Sequence, residues 1–108
     1  MTTSESERHP APPPRPIGSV TVRIPAQLRG LTEGTAEVTV PAGSVREVIG
    51  ELEEAWPGFG ERLLDDHGKL RRFVNVFVLD EDIRFLDGLD TVVEGGQTVS
   101  VIPAVAGG

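Results

Sequence analysis

Cysteine is absent from this sequence, so the chain has no thiolate for a disulfide bond, a zinc site or a nucleophile of its own. It also lacks an apolar run of eighteen residues and a secretory leader in which basic residues precede an apolar stretch. A G-x-x-x-x-G-K-[ST] loop is missing, and Gly58-Phe59-Gly60 lacks the third glycine of a dinucleotide fingerprint. These absences predict a cytoplasmic protein that is not an enzyme and binds no cofactor.

Positive charge is scarce as well. Ten Lys and Arg residues stand against seventeen Asp and Glu residues, which leaves a net charge of -7. A protein of this charge repels phosphate backbones and anionic lipid headgroups. Nucleic acids and membranes are therefore poor partners.

The sequence has no convincing metal-binding pattern. His9 and His67 share no ligand spacing with each other or with a cysteine. The acidic string that begins at Asp80 has Arg84 at the fifth position, where a calcium loop needs an acid or an amide. Asp65-Asp66 is a neighbouring pair in a polar loop, which favours exposure to water over catalysis. We expect no metal site and no catalytic residue.

The first seventeen residues differ in composition from the rest. Five of the seven residues from Pro10 to Pro16 are proline, and Met1 is the one sizeable apolar residue before them. Such a segment buries too little apolar surface to offset its ordering entropy. We expect a disordered or polyproline II leader over residues 1–17, with a proline-recognition role as the less favoured alternative.

Residues 18–103 carry the patterns of a folded domain. Alternation of valine and isoleucine from Val20 to Ile24, and again at Val38 and Val40, predicts a hairpin of two half-buried strands. Ser44 and Glu47 form a capping-box pattern that begins a helix. The helix has an apolar stripe at Val45, Val48, Ile49, Leu52 and Trp56, where Trp56 is expected to pack in the core.

Three further strands are predicted after the helix. A short helical turn at residues 60–64 precedes an apolar run from Phe73 to Leu79 that is typical of a strand inside a sheet. Asp80-Glu81 is expected to turn the chain back through Ile83, Arg84 and Phe85, and Thr98–Ile102 is the last strand. One helix and about five strands predict an α+β fold, with a mixed sheet covered on one face.

The end of the sequence consists of small residues that follow a proline. Pro103 has no backbone N–H, so it stops strand pairing. The five residues 104–108 span up to about 17 Å when extended, enough to enter the active site of another protein. Gly107 and Gly108 let a narrow channel close around bare backbone. We predict a flexible tail at residues 104–108.

The carboxylate of Gly108 is ionised at neutral pH and is a poor electrophile. A separate enzyme that consumes ATP would have to adenylate it, after which a sulfur donor could leave a thiocarboxylate. We therefore predict Gly108 as the reacting residue. The residues expected to thread into the partner are Pro103, Ala104, Val105, Ala106 and Gly107.

From Gly18 to its end the sequence resembles the MoaD/ThiS family of ubiquitin-like sulfur carriers, and more narrowly its CysO branch, which serves cysteine biosynthesis. The motifs that carry the closer resemblance are Gly68-Lys69-Leu70, Arg72-Phe73-Val74-Asn75, Asp80-Glu81-Asp82 with Arg84-Phe85, and Ile102-Pro103-Ala104-Val105-Ala106-Gly107-Gly108. The proline-rich leader lies outside the family pattern. Ala104 differs from the Pro-Pro ending common in small subunits of molybdopterin synthase.

The resemblance implies a ubiquitin-like β-grasp fold and a carrier that is a monomer when free. It also implies an E1-like adenylyltransferase that loads sulfur on Gly108, a pyridoxal-phosphate cysteine synthase that uses it, and a metalloprotease that releases the product. Four alternatives stay open: a small subunit of molybdopterin synthase, a carrier for thiamine or another sulfur-containing metabolite, a protein modifier joined through Gly108, and an interaction domain whose tail has no function.

Overall fold

The structure, a computed structural model, describes residues 17–103. Its first two strands form the predicted hairpin. Strand β1, Ser19–Arg23, pairs antiparallel with β2, Glu37–Pro41, and each strand buries alternate residues. The link between them, predicted as turns, contains a 3₁₀ helix at Ala26–Thr32. The buried Thr32 hydroxyl donates to the carbonyl of Thr35 at 2.8 Å, so this polar group is satisfied.

Helix α1, Val45–Ala55, begins at the predicted capping box. The Glu47 N–H donates to the Ser44 hydroxyl at 3.1 Å, and the Ser44 N–H donates to the Glu47 carboxylate at 2.9 Å. The apolar stripe of α1 is buried, and Trp56 is half-buried against the core, which confirms the prediction that it packs there. A short helix α2, Phe59–Leu63, follows and confirms the predicted helical turn.

The main sheet contains three further strands: β4 is Val74–Val78, β5 is Glu81–Asp82 and β7 is Thr98–Pro103. The order of its strands is β2-β1-β7-β4-β5. Strands β1 and β7 are parallel and the other neighbours are antiparallel, so the sheet is mixed as predicted. The core between this sheet and α1 includes Val20, Val22, Ile24, Val40, Val45, Val48, Leu52, Phe59, Leu63, Val76, Ile83, Val93, Val99 and Val101.

In the middle of the chain one predicted strand is confirmed and another is corrected. The run from Phe73 to Leu79 contains β4, which lies inside the sheet between β7 and β5 as predicted. It buries one face, because a single helical layer covers the sheet, and Phe73 and Leu79 are 51% and 58% exposed. The expected strand through Ile83 to Phe85 ends at Asp82. The Asp82 carboxylate accepts the N–H of Arg84 at 2.8 Å and begins a 3₁₀ helix at Ile83–Phe85 instead.

The sequence patterns did not predict a second, two-stranded sheet. Strand β3, Gly43–Ser44, pairs antiparallel with β6, Val92–Val93, just after a 3₁₀ helix at Gly88–Asp90. Strands this short produce no periodicity that could be recognised in advance. Within residues 17–103, no helix is long and apolar enough to cross a membrane.

The turn that leads into β7 packs directly on the start of β1. Gly96 has a φ of 89° and donates its N–H to the carbonyl of Ser19 at 2.8 Å. At Gly95, a Cβ atom would lie 2.5 Å from the carbonyl oxygen of Ile17 and 3.3 Å from the Cα of Gly18. Gly95 is therefore required by a close approach of two backbone segments.

Candidate functional site

The candidate site begins where β7 ends. We call Ile102 and Pro103 the tail root, because residues 104–108 follow them. Strand β7 lies between β1 and β4, so the tail root emerges from the middle of the main sheet. In the register of β4 with β7, Ile102 lies opposite Asn75 and Pro103 opposite Val74. Of the predicted site residues, Pro103 is described, whereas Ala104, Val105, Ala106, Gly107 and Gly108 lie outside the described residues.

The backbone around Val74 explains why the ladder stops here. The Val74 N–H donates to the carbonyl of Arg71 at 3.1 Å, and the Val74 carbonyl accepts from the Arg84 guanidinium at 2.9 Å. Pro103 has no N–H to offer its neighbours. Both backbone groups of Val74 are thus satisfied by the loop around it.

Arg84 clamps the segment that pairs with the tail root. Its Nη1 donates to the Asn75 side chain at 2.9 Å, and its Nη2 donates to the carbonyls of Arg71 and Val74, both at 2.9 Å. A planar guanidinium presents several N–H groups in a fixed fork, which suits this multiple contact. The clamp fixes the start of β4, and with it the strand beside the tail root.

A groove of about 280 Å³ lies along the other side of the tail root. Its lining includes Ile102 and Pro103, together with Arg23, Gln27 and Arg29. The Arg29 Nε donates to the carbonyl of Ile24 at 3.0 Å, and Arg23 forms an exposed ion pair with Glu37 at 3.4 Å. The groove therefore offers polar and cationic side chains to a segment of another protein that lies beside the tail root.

The uncovered face of the sheet beside the tail root is partly apolar. Ile102 is 50% exposed there, and Phe77 is half-buried. Both side chains line a shallow cavity of about 330 Å³ with Arg23, Asp80 and Ser100. An apolar spot rimmed by charges of both signs is typical of a protein contact surface.

The acidic loop pair does not form a catalytic dyad. The Asp65 carboxylate accepts the backbone N–H groups of His67 at 2.8 Å and Lys69 at 3.0 Å. The hydrogen bond from Lys69, followed by the one from His67, lowers the pKa of Asp65. Asp65 therefore orders its own loop, whereas Asp66 is exposed.

The acidic string after Asp80 has a structural role as well. Asp82 caps a 3₁₀ helix, and Asp90 pairs with Arg46 at 3.3 Å. The Arg84 side chain, at the position that a calcium loop would give to a ligand, binds neutral oxygens. Among residues 17–103, no group of three or more His, Asp or Glu side chains is placed to hold a metal ion. His67 is exposed, and His9 lies outside the described residues.

Sequence reasoning did not assign the roles of Arg84, Arg23, Gln27 or Arg29. Arg84 and Asn75 both belong to motifs that carried the resemblance. Their presence in these motifs was the one signal from which a contact between the two residues could have been predicted. The arrangement fixes the position of the tail root, because β7 is paired with a strand on each side. Cationic and apolar side chains lie next to the tail root.

Comparison with known proteins agrees with this description. The model of the ThiS family matches residues 22–108. The sulfur carrier protein CysO of Mycobacterium tuberculosis is 47% identical over 92 residues, which cover 83% of this chain and 99% of the relative. In the crystal structure of the Amycolatopsis orientalis BexX/CysO complex, a chain that is 45% identical superposes with a TM-score of 0.78, covering 82% of this chain and 99% of that one.

A more distant relative has a different name. The small archaeal modifier protein 3 of Haloferax volcanii is 38% identical over 65 residues, which cover 60% of this chain and 70% of the relative. Together these matches confirm the sequence-based assignment to the MoaD/ThiS carriers and, within them, to sulfur carriers of the CysO type. The mixed five-stranded sheet with its main helix is the β-grasp arrangement predicted from the resemblance.

Proposed function

The chain belongs to the ThiS family, and from this premise we propose that it carries sulfur as a thiocarboxylate on Gly108, as a sulfide donor for cysteine biosynthesis. The observation that carries the proposal is the 47% identity to CysO over nearly the whole of that relative. The family match also extends through residue 108.

The tail root supports this function mechanically. Because Pro103 is held in the sheet opposite Val74, residues 104–108 would start from a fixed point and reach up to about 17 Å from it. Small side chains at Ala104, Val105 and Ala106, followed by Gly107, would let a partner's channel close around the backbone. Fixing the root limits the volume that Gly108 samples, which lowers the entropic cost of threading.

The chemistry takes place in two steps. The Gly108 carboxylate oxygen attacks the α-phosphorus of ATP, and pyrophosphate leaves, which gives an acyl-adenylate. A sulfide then attacks the acyl carbon and AMP leaves, which gives the thiocarboxylate. The carrier contributes the acyl group, and an E1-like partner contributes the nucleotide site.

The partners follow from these steps. An E1-like adenylyltransferase would load sulfur, a pyridoxal-phosphate cysteine synthase would use it, and a metalloprotease would release the cysteine formed on Gly108. The BexX/CysO complex is an example of a relative that assembles with another protein. We propose that the groove at Arg23, Gln27 and Arg29 receives part of the loading enzyme, that the free carrier is a monomer, and that it acts in the cytoplasm.

Reconstitution tests the proposal directly. The full chain is incubated with the E1-like enzyme of the same organism, ATP and sulfide, and its intact mass is measured. We expect the mass increase of one sulfur atom that replaces one oxygen atom. Deletion of Gly107 and Gly108 should abolish the increase while circular dichroism shows the same fold. An unchanged mass of the complete chain in the presence of active enzyme would contradict the proposal.

One alternative has an observation of its own. The name of the Haloferax volcanii relative points to protein modification, which also requires an activated C-terminal glycine. Digestion of proteins from the native host would then show glycine-glycine remnants on lysines, and these remnants would disappear when Gly108 is deleted. A role as a small subunit of molybdopterin synthase predicts a stable copurifying complex instead.

A further inference from the structure

Another surface cavity within residues 17–103 has neither Ile102 nor Pro103 in its lining. It has a volume of about 410 Å³, within the roughly 300–1,000 Å³ typical of ligand pockets, and shares no lining residue with the groove beside Pro103. We call it the basic cleft. Its lining includes Arg46, His67, Lys69, Leu70, Ile83 and Arg84.

The charge of the basic cleft is opposite to that of the protein. No Asp or Glu is among its lining residues, although the chain has a net charge of -7. Arg46 pairs with Asp90 at 3.3 Å. The Arg84 guanidinium binds neutral oxygens alone, and Lys69 has no side-chain partner within residues 17–103. Two cationic groups therefore face the cleft without a carboxylate.

Two acidic residues close in sequence to the lining bind backbone groups. Asp65 accepts two backbone N–H groups of its own loop, and Asp82 accepts the backbone N–H of Arg84. A carboxylate that enters the cleft would therefore meet Lys69 and Arg84, whose side chains have no carboxylate partner within the described residues.

The walls of the basic cleft are fixed in place. The Asp65 N–H donates to the carbonyl of Lys69 at 2.8 Å, and Leu64 pairs with Leu70 across the base of the loop. Arg84 is held by its carbonyl and amide acceptors on the opposite side. The backbone on both sides of the cleft is therefore already ordered, and binding would mainly have to order the Lys69 side chain.

The mixture of groups indicates the kind of ligand. Among the apolar lining residues Ile83 is buried, whereas Leu70 and Leu89 are half-buried, so the two leucines supply apolar surface beside the cations. Arg84 uses at least three of its five N–H groups internally. Arg84 therefore offers a ligand its positive charge and few free N–H donors. A carboxylate can use such a site better than a phosphate, which needs several converging donors.

We propose that the basic cleft binds an acidic peptide segment of a protein partner, with a carboxylate facing Lys69 and Arg84 and an apolar neighbour over Leu70 and Leu89. Ile102 and Pro103 are not among the residues that line the cleft. It does not depend on the reaction of Gly108, so it can be tested on the unmodified carrier.

The test is an NMR titration of the ¹⁵N-labelled full chain with the capped tetrapeptide Ac-Glu-Leu-Glu-Leu-NH₂. We expect saturable amide shifts at residues 67–70, 83–84 and 88–89, with a dissociation constant near 1 mM or below that rises with salt. Lys69→Gln should weaken binding about three- to fivefold, as for loss of one exposed ion pair. Arg62→Gln, an exposed arginine outside the cleft, is the matched control and should leave binding unchanged.

Four results would overturn the proposal. The first is equal binding of Ac-Gln-Leu-Gln-Leu-NH₂, which would show that charge has no role. The second is the same set of shifts with inorganic phosphate at an equal or lower concentration, which would make the cleft a small-anion site. The third is the absence of shifts at peptide concentrations well above 1 mM. The fourth is a change in the same amides when residues 104–108 are deleted from the free protein, which would make the chain's own tail the occupant.

Discussion

The central strands and the far edge of the main sheet are built in different ways. In β1, β7 and β4, alternate apolar side chains enter the core and strands pair on both sides. The far edge, which we define as residues 64–72 and 79–91, has a two-residue strand and relies on single polar side chains. Asp65, Asp82 and Arg84 each bind backbone groups there. The comparison teaches that burial and strand pairing hold β7 up to the tail root, whereas individual hydrogen bonds shape the basic cleft.

The largest expected effect is on the core beneath the central strands. Phe59→Ala should lower the free energy of unfolding by about 3–5 kcal/mol, because Phe59 is completely buried and its removal leaves a cavity. Phe85→Ala, on the far edge and 84% exposed, is the control and should change it by less than about 0.5 kcal/mol. Urea denaturation measures both. Equal losses would contradict the division between the two regions.

The turn before β7 should show the next effect. Gly95→Ala is expected to lower the free energy of unfolding by about 1–3 kcal/mol, because the new Cβ atom would collide with the carbonyl of Ile17. Gly30→Ala is matched to it, because a Cβ at Gly30 has nothing within 4 Å and Gly30 has no positive φ. Thermal and urea unfolding of the two variants should differ in midpoint. A neutral Gly95→Ala would refute the close backbone approach.

On the far edge, Arg84→Ala should lower the free energy of unfolding by about 1–3 kcal/mol, because it leaves the Val74 carbonyl without its side-chain donor and the Arg71 carbonyl with the Val74 N–H alone. Asn75→Ala removes one contact of the same clamp. A double-mutant cycle of the two substitutions should therefore give a coupling energy above about 0.5 kcal/mol. Strictly additive effects would contradict the clamp. Hydrogen exchange should show faster opening at residues 71–75 in Arg84→Ala.

The smallest effect concerns pH. The pKa of Asp65 is lowered in the folded protein by the N–H groups of Lys69 and His67. A carboxyl group whose pKa is lower in the folded than in the unfolded protein stabilises the fold when the pH is above its unfolded pKa of about 3.9. This stabilisation is lost as the pH falls through the pKa of the folded protein. The difference in stability between the natural chain and Asp65→Asn should thus be larger at neutral pH than in acid. A difference that stays constant or grows on acidification would contradict this assignment.

The predictability of each region follows from its physics. Burial of alternate residues leaves a period of two, which predicted β1 and β2. An apolar run predicted β4, the stretch that ends at Pro103 predicted β7, and the Ser44–Glu47 capping box located α1. The far edge depends on which oxygen each polar side chain reaches. This is decided by the tertiary structure, so the 3₁₀ helix at Ile83–Phe85 was not predicted. Outside the far edge, β3 and β6 were missed because strands of two residues produce no periodicity.

Of the candidate site, the end of the last strand was predicted from the sequence, whereas the residues around it were not. Pro103 was expected to end the last strand, and it is the last residue of β7. The clamp was not foreseen, because Arg84 and Asn75 are nine residues apart and meet through the turn after β4. The basic cleft was missed for the same reason, since Arg46, Lys69 and Arg84 come from three separate segments. The roles of residues 104–108 stay predictions.

The central claim is that Gly108 is the acyl group on which sulfur is carried. Tandem mass spectrometry of the chain after incubation with its E1-like enzyme, ATP and sulfide tests it most directly. We predict that the exchange of one oxygen for one sulfur is located on the fragment containing Gly108, and that iodoacetamide alkylates this fragment. Sulfur found on any other fragment, or a Gly108 fragment that never changes mass while the enzyme consumes ATP in the presence of the chain, would contradict the claim.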